Sequence, residues 1–266
     1  MKKPSLNLVC FENWPGVEKR RNTYFISDLH LGARYVADRR AQEKRVVSFL
    51  RSIAGDAKAL YMLGDVLDYW YEYRYVVPRG YVRFFGELAR LADAGVKIYW
   101  FIGNHDIWLF DYLRDEIGIS IVDPAGGGIE SEIDGSVFFL GHGDGVGRQP
   151  RAFRCLRYLF RNKFCQRLYA GIHPRWTVGF AMNWSRSSRS SHEGKAERLP
   201  DSIRAFASTY TAAHPEVHYI IMGHYHLQVD EVVGKHCRLI VLGDWIDGGS
   251  YAVFDGMNLE ICKYKG

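Results

Sequence analysis

The chain has 266 residues, 47% of them hydrophobic, which fits one large α/β domain with a sizeable core and excludes a disordered chain. Five cysteines (Cys10, Cys155, Cys165, Cys237 and Cys262) form an odd set with no CxxC pair, which argues against a disulfide framework and fits a reducing cytosol. The net charge of +5 is uneven: residues 148–198 hold 12 Lys+Arg against 2 Asp+Glu, a local balance of +10 that leaves −5 elsewhere and suggests an anionic partner.

The opening stretch MKKPSLNLVCFENWPG has two lysines but only a short, interrupted apolar run, so it reads as a poor signal peptide. No window approaches the ~18 uncharged apolar residues of a membrane span. The expectation is a cytoplasmic protein, or one held at a membrane surface. Short runs rich in Ile, Val, Phe and Tyr then predict buried strands at 24–27, 60–63, 97–102, 137–140, 219–222, 239–242 and 251–254. Helical spacing of apolar residues, such as Val46, Val47, Leu50 and Ile53, predicts helices at 39–54, 81–94, 107–116 and 201–213. Early strand–helix alternation and late strand runs suggest a layered α/β sandwich. Residues 146–200 break that rhythm and read as a basic helical insertion within a single domain spanning 1–266. Within it, SRSSRSS at 185–191 reads as a loop.

The residues just beyond the strands are more informative. The first strand ends in Ser27-Asp28-Leu29-His30, and the second in Gly64-Asp65-Val66-Leu67-Asp68. The third ends in Gly103-Asn104-His105-Asp106, the fourth in Gly141-His142-Gly143-Asp144 and the fifth in Gly223-His224-Tyr225-His226. A lone Asp or His at a strand end is usually a turn former or a cap. Five such ends in one chain, gathering five of its ten histidines, call for another cause. In an open α/β sheet the loops beyond the strand carboxyl ends share one crevice, so these side chains are expected to converge. In Asp28-Leu29-His30 and His224-Tyr225-His226 the polar residues lie two apart, which in an extended segment aims both at one side. The mixture of oxygens and imidazoles suits Mn, Fe or Zn better than Mg or Ca. His173, His192, His214, His218 and His236 show no such pattern and read as structural or solvated.

In their order and combination, Asp28-x-His30, Gly64-Asp65-x-x-Asp68, Gly-Asn-His-Asp, Gly-His-Gly-Asp and Gly-His-x-His resemble the calcineurin-like metallophosphoesterases. The resemblance implies a four-layer αββα sandwich around two divalent metals, commonly Mn, with Fe or Zn as alternatives. It implies that Asp28, His30, Asp65 and His226 hold one ion. Asp65, Asn104, His142 and His224 would hold the other, with Asp65 bridging. GDVLDYW and LGDWIDGGSYAVFDG, with a basic helical insertion after His-Gly-Asp, resemble one branch, the UDP-2,3-diacylglucosamine hydrolases. These peripheral enzymes of lipid A synthesis yield UMP and 2,3-diacylglucosamine 1-phosphate. Proteobacterial members read Gly-Asn-Arg-Asp where this chain has Gly-Asn-His-Asp. An alternative reading is a soluble phosphodiesterase or phosphatase acting on a nucleotide or other phosphoester.

The chemistry rests on two ions lowering the pKa of a shared hydroxide that attacks phosphorus. His105, next to Asn104, is the catalytic candidate: as imidazolium it would stabilise phosphoryl charge or protonate the leaving oxygen. Asp68, Asp106 and Asp144 read as acceptors that orient histidines, or equally as helix and turn caps. In the insertion, Phe153, Leu156, Phe160, Phe164 and Leu168 recur at helical spacing from Pro150 to Gly171, with Arg154, Arg157, Arg161 and Arg167 on other faces. A basic amphipathic helix reads as lipid-contacting, or as a surface helix packed on the core. On the lipid reading Phe153, Leu156, Phe160 and Phe164 meet acyl chains, while Arg154, Arg157 and Arg161 meet a diphosphate or the anionic inner leaflet; no nucleic acid is expected. Tyr69, Trp70, Tyr71, Tyr73 and Tyr75 read as core, with lining of the acyl groove as the other role.

Overall fold

The computed structural model describes residues 20–124, 127–147, 149, 151–179 and 198–266. The opening stretch and the serine-rich loop at 185–191 lie outside them, as does His192. Two mixed sheets face each other. The first has the order β11-β10-β1-β2-β3-β4 and the second β5-β6-β7-β9-β8. In the first, β1 (Asn22–Ile26), β2 (Ala57–Met62), β3 (Lys97–Phe101) and β4 (Ser120–Val122) run parallel, and β10 (Ser250–Phe254) and β11 (Leu259–Lys263) pair antiparallel at the edge. In the second, β6 (Ser136–Leu140), β7 (Val217–Met222) and β9 (Cys237–Val241) are parallel, flanked by antiparallel β5 (Ile129–Ile133) and β8 (Val229–Val233).

Strands buried on both faces carry unbroken apolar runs, and β1 shows why. Tyr24 and Ile26 pack with α1 (Arg39–Ile53) and α2 (Val82–Asp93), while Phe25 points between the sheets. There Phe25 stacks on Phe138 of the opposite sheet at 5.7 Å. On the far side, Phe139, Ile220, Leu239 and Val241 pack with Ile203 and Ala207 of α6 (Asp201–Ala213). Helices, sheet, sheet and helix make the expected αββα sandwich. α1 begins where the Asp38 carboxylate accepts from Ala41 N at 2.8 Å.

All seven expected strands and the helices at 39–54, 81–94 and 201–213 are present within a few residues. The helix expected at 107–116 is instead α3 (Tyr112–Ile117). The buried Glu72 carboxylate accepts from the backbone N–H groups of Phe110, Asp111 and Tyr112, so it fixes the helix start there. Ile107, Trp108 and Leu109 are buried in the core as irregular chain, and Trp108 bridges to Tyr71. The single helix expected from Pro150 to Gly171 is two, α4 (Arg151–Arg161) and α5 (Lys163–Ala170). The break falls at Asn162, whose side chain caps Phe164 N and Cys165 N.

Candidate metal centre

Seven non-glycine residues among those described have positive φ, and five of them are Asp28, His30, Asp65, His224 and His226. This corrects the expectation that the two-residue spacing reflects extended chain. These residues sit in left-handed turns, a conformation that costs roughly 1–2 kcal/mol per residue. Such strain persists where the surroundings over-determine it. Here Asp28 N donates to Gly64 O at 3.1 Å, His30 N to Asp65 O at 2.9 Å and Trp245 N to Asp28 O at 3.1 Å. Asp28 Oδ2 accepts from His224 N at 2.9 Å, tying the loop after β1 to the loop after β7 in the other sheet. The loops approach so closely that a side chain at Gly223 would overlap the Asp28 carboxylate, and one at Gly103 would overlap Asp65.

The side chains converge as expected. Asp28, His30 and His226 form one cluster of candidate ligands; Asp65, His142 and His224 form a second. Asn104 joins the second through its Oδ1, 3.1 Å from His142 Nε2. Asp65 Oδ2 lies between the clusters, 3.2 Å from His142 Nε2, 3.7 Å from His30 Nε2 and 4.0 Å from His105 Nε2. Asp28 Oδ1 is 3.8 Å from His30 Nε2 and 3.6 Å from His226 Nε2. It is fully buried yet accepts no hydrogen bond, a costly state for a carboxylate unless a cation completes it. Donors bound to one ion at about 2.0–2.2 Å lie roughly 3–4 Å apart, so these separations fit divalent metals. The donor set of carboxylates, imidazoles and one amide fits as well.

The electrostatics agree. Burial alone would raise the Asp65 pKa, but the imidazoles of His142 and His105 outweigh it and hold the carboxyl well below its usual range. Burial likewise opposes a charge on His142, but Asp65 raises its pKa well above the ordinary value. His224 moves the other way, down to about 4, through burial and the neighbouring His142. A neutral His224 keeps a lone pair for a cation.

Around these residues lies a layer of acceptors. His142 Nδ1 donates to Leu63 O at 2.8 Å, which directs Nε2 into the site. Asp68 Oδ1 is 3.4 Å from His30 Nδ1, and its backbone O is 3.0 Å from His105 Nδ1. His30, Asp68 and His105 thus form a third group of candidate ligands that shares His30 with the first. Asp106 orients no histidine. Its carboxylate takes the N–H groups of Gly103, Asp65, Val66 and the Trp100 indole, and so clamps the loop after β3 to the loop after β2. Asp144 faces Arg157 Nε of α4 at 3.2 Å, and this pair joins the loop after β6 to the helices beyond it.

The sequence pattern did not single out Asp244. Its Oδ2 is 3.3 Å from His226 Nδ1, and its Oδ1 accepts from Ile246 N and Asp247 N. The signal was present: Gly243-Asp244 follows a strand, as Gly64-Asp65 does. Burial would raise the Asp244 pKa, but the His226 contact and the two backbone N–H groups hold it low. Asp244→Asn keeps the acceptor for the two N–H groups but removes the charge facing His226. Its Mn affinity, measured by calorimetry, is expected to fall about 10–100-fold, as for other partners of metal-binding histidines. Unchanged affinity would show that His226 is oriented without Asp244.

Residues of the insertion divide. Phe160 is half-buried, its ring edge-on to Trp108 at 5.2 Å between centroids, and the Trp108 indole N–H donates to Phe160 O. Arg157 and Arg161 are held by Asp144 and Asp123. Phe153 and Leu156 are half-buried, and Arg154 is exposed. Phe164 and Leu168 are exposed, as are Tyr158 and Leu159. α5 rests on the aromatic residues after β2, with Tyr69 Oη 3.1 Å from Tyr169 Oη and Tyr71 Oη donating to Gln166 O at 2.6 Å. Tyr69, Trp70 and Tyr71 are buried core; Tyr75 is not.

The family model for calcineurin-like phosphoesterases matches residues 22–228. A UDP-2,3-diacylglucosamine hydrolase of Porphyromonas gingivalis is 45% identical over 257 residues, covering 91% of this chain and 97% of the relative. A hydrolase of the same name from Nitrosococcus oceani is 30% identical, covering 86% of this chain and 89% of its own length.

Proposed function

The chain belongs to the calcineurin-like phosphoesterases, and from that membership we propose that it is a metal-dependent hydrolase that cleaves the pyrophosphate of UDP-2,3-diacylglucosamine to UMP and 2,3-diacylglucosamine 1-phosphate, in lipid A synthesis. One observation carries the chemistry: a single buried carboxylate, Asp65, faced by the imidazoles of His30, His105 and His142 where the loops of both sheets meet. The substrate is supported by the names of relatives that match over most of their length.

Asp28, His30, Asp65 and His226 would hold one divalent ion, and Asp65, Asn104, His142 and His224 the other, with Mn as the proposed metal. Two such ions would supply Lewis acidity toward a phosphoryl oxygen and lower the pKa of a bound water. The chain's own groups do the rest. His105 is pinned by its Nδ1–H bond to the Asp68 carbonyl, so its Nε2 turns to the site. Burial lowers the His105 pKa, with Asp65 pulling upward, so the imidazolium form depends on an arriving anion. A diphosphate supplies that charge, and the protonated ring then donates to a phosphoryl or leaving oxygen. Asp68 and Asp244 hold the rings of His30 and His226.

The insertion expected at 146–200 is proposed as a lid, and its described helices α4 and α5 are held by Asp144–Arg157 and by the aromatic residues after β2. Among the described residues no helix is long and apolar enough to cross a membrane. A diacylated substrate lives in a bilayer, so the enzyme is proposed to work peripherally, at the inner face of the cytoplasmic membrane.

The test is product release from UDP-2,3-diacylglucosamine, bis-p-nitrophenyl phosphate, a cyclic nucleotide and single-stranded DNA. Preference for the lipid substrate is expected; turnover of the soluble esters without the lipid would favour the general phosphodiesterase. Phe160→Asp is a poor probe of acyl contact, because it would bury a carboxylate against Trp108. Phe164 is exposed, so Phe164→Asp is expected to lower kcat/KM for the lipid at least tenfold relative to bis-p-nitrophenyl phosphate. Burying acyl chain contributes about 0.8 kcal/mol per CH₂, so two methylenes suffice for that factor. An unchanged ratio would remove Phe164 from the acyl path.

A further inference from the structure

Residues 73–83, which lead from the loop after β2 into the first turn of α2, read YRYVVPRGYVR. Tyr75, expected in the core or an acyl groove, is 82% exposed; Val76 and Val82 are 53% and 77% exposed. Exposed Arg74, Arg79 and Arg83 interleave with them. The Arg74 guanidinium lies 5.1 Å over the Tyr75 ring, so the aromatic and the cation form one unit at the tip of the segment. The core does not account for these side chains, and the metal centre does not use them.

The segment is tied to the insertion. Tyr73 Oη shares a hydrogen bond with Thr177 Oγ1, which brings the backbone bearing Tyr75 beside the helical stretch at 174–179. Next to Thr177, Trp176 is 71% exposed, and Phe164, Leu168 and Ile172 continue the exposed apolar residues along the chain. Lys163, Arg167 and Arg175 are exposed among them. Neither 73–83 nor 150–179 contains a single Asp or Glu.

We propose that residues 73–83 are a second membrane anchor, which docks together with the exposed side of α5 and Trp176 on a bilayer of anionic lipid. A soluble anion would need the arginines but not exposed Val76, Val82 and Trp176. An apolar protein groove would need the valines and rings but not six exposed cations drawn from two segments that hold no acid of their own. An anionic bilayer satisfies both: the rings and valines enter the headgroup boundary, while Arg and Lys stems lie along it with their charges at the phosphates. Basic residues at such a surface act within a Debye length, so the attraction falls as salt rises.

The proposal rests on the peripheral-membrane reading above, and the experiment separates the two. The full chain is sedimented with phosphatidylcholine vesicles, with and without phosphatidylglycerol, at low and high salt. Expected are binding to the anionic vesicles that salt weakens and little binding to the zwitterionic ones. Tyr75→Asp with Val76→Asp should lower the bound fraction's partition coefficient at least tenfold, while turnover of bis-p-nitrophenyl phosphate stays unchanged. Arg74→Ser with Arg79→Ser is the second variant; it should reduce binding to anionic vesicles alone. Vesicle binding by the parent that neither pair alters would overturn the second anchor and leave membrane contact to the insertion. A parent that binds no vesicle would overturn both readings. A parent dimer that the Asp variant dissociates, without vesicle binding, would assign the face to a second copy of the chain and overturn the anchor.

Discussion

Asp65→Ala is expected to abolish turnover of UDP-2,3-diacylglucosamine and to lower bound metal from two ions toward one or none. The carboxylate faces three imidazoles and lies between the two ligand clusters, so its loss removes a donor from both. Lewis-acid stabilisation by a bound metal is worth several kcal/mol. At 1.36 kcal/mol per tenfold, the rate should fall about 10³-fold or more. Asp65 Oδ1 also accepts from His105 N at 2.9 Å, so part of the loss could come from a displaced loop. Asp65→Asn separates the two effects: its amide oxygen still serves His105 N, but its charge is gone. Metal analysis of both variants decides. Two equivalents of Mn retained with normal turnover would contradict the bridging role.

His105→Ala is expected to keep about two metals while kcat falls roughly 10²–10⁴-fold, the usual worth of a positioned general acid. Its ring is fixed by the Asp68 carbonyl, and its Nε2 stands 4.0 Å from Asp65 Oδ2, the longest of the three imidazole approaches. His105→Arg is expected to recover part of the rate, since a fixed cation also stabilises phosphoryl charge. The competing role is visible in the structure, because His30, Asp68 and His105 lie close enough to share an ion. Loss of metal in His105→Ala would establish that role and remove His105 from the phosphate.

The parts of the fold that were legible in the sequence are those buried on both sides. Each of the seven anticipated strands is interior to its sheet, and runs such as Tyr-Phe-Ile or Tyr-Ile-Ile-Met mark them. The four strands not anticipated, β4, β5, β8 and β11, are the four edges of the two sheets. β5 reads IESEI, β8 VDEVV and β11 LEICK. An edge strand has solvent along one side, and charges such as Glu130, Glu132, Asp230 and Glu260 discourage pairing with another chain. Their apolar residues are too few to form a run, and β4 has three residues.

The candidate centre was legible for a different reason. Parallel strands deliver their carboxyl ends to one crevice, so a ligand-type residue just after each of five strands, four times behind a Gly, points to a shared site. What stayed hidden depends on backbone shape and partner choice. The positive φ angles at Asp28, His30, Asp65, His224 and His226 come from hydrogen bonds between loops distant in sequence. Asp106 and Asp144 carry the same residue type as Asp68, but a clamp, a latch and a histidine orienter differ only in what lies across from them. The insertion misled because one amphipathic pattern spans two helices. Its half-buried members, such as Phe160, pack inward, and its exposed members, such as Phe164, do not.

The central claim is that this centre hydrolyses the diphosphate of a diacylated sugar nucleotide with divalent metal. The most direct measurement is UMP release from UDP-2,3-diacylglucosamine by the full chain after chelation, and again after Mn is restored. Negligible UMP from the chelated protein and stoichiometric UMP and 2,3-diacylglucosamine 1-phosphate after Mn is the predicted result. Metal-restored protein that turns over bis-p-nitrophenyl phosphate but releases no UMP from the lipid would contradict it.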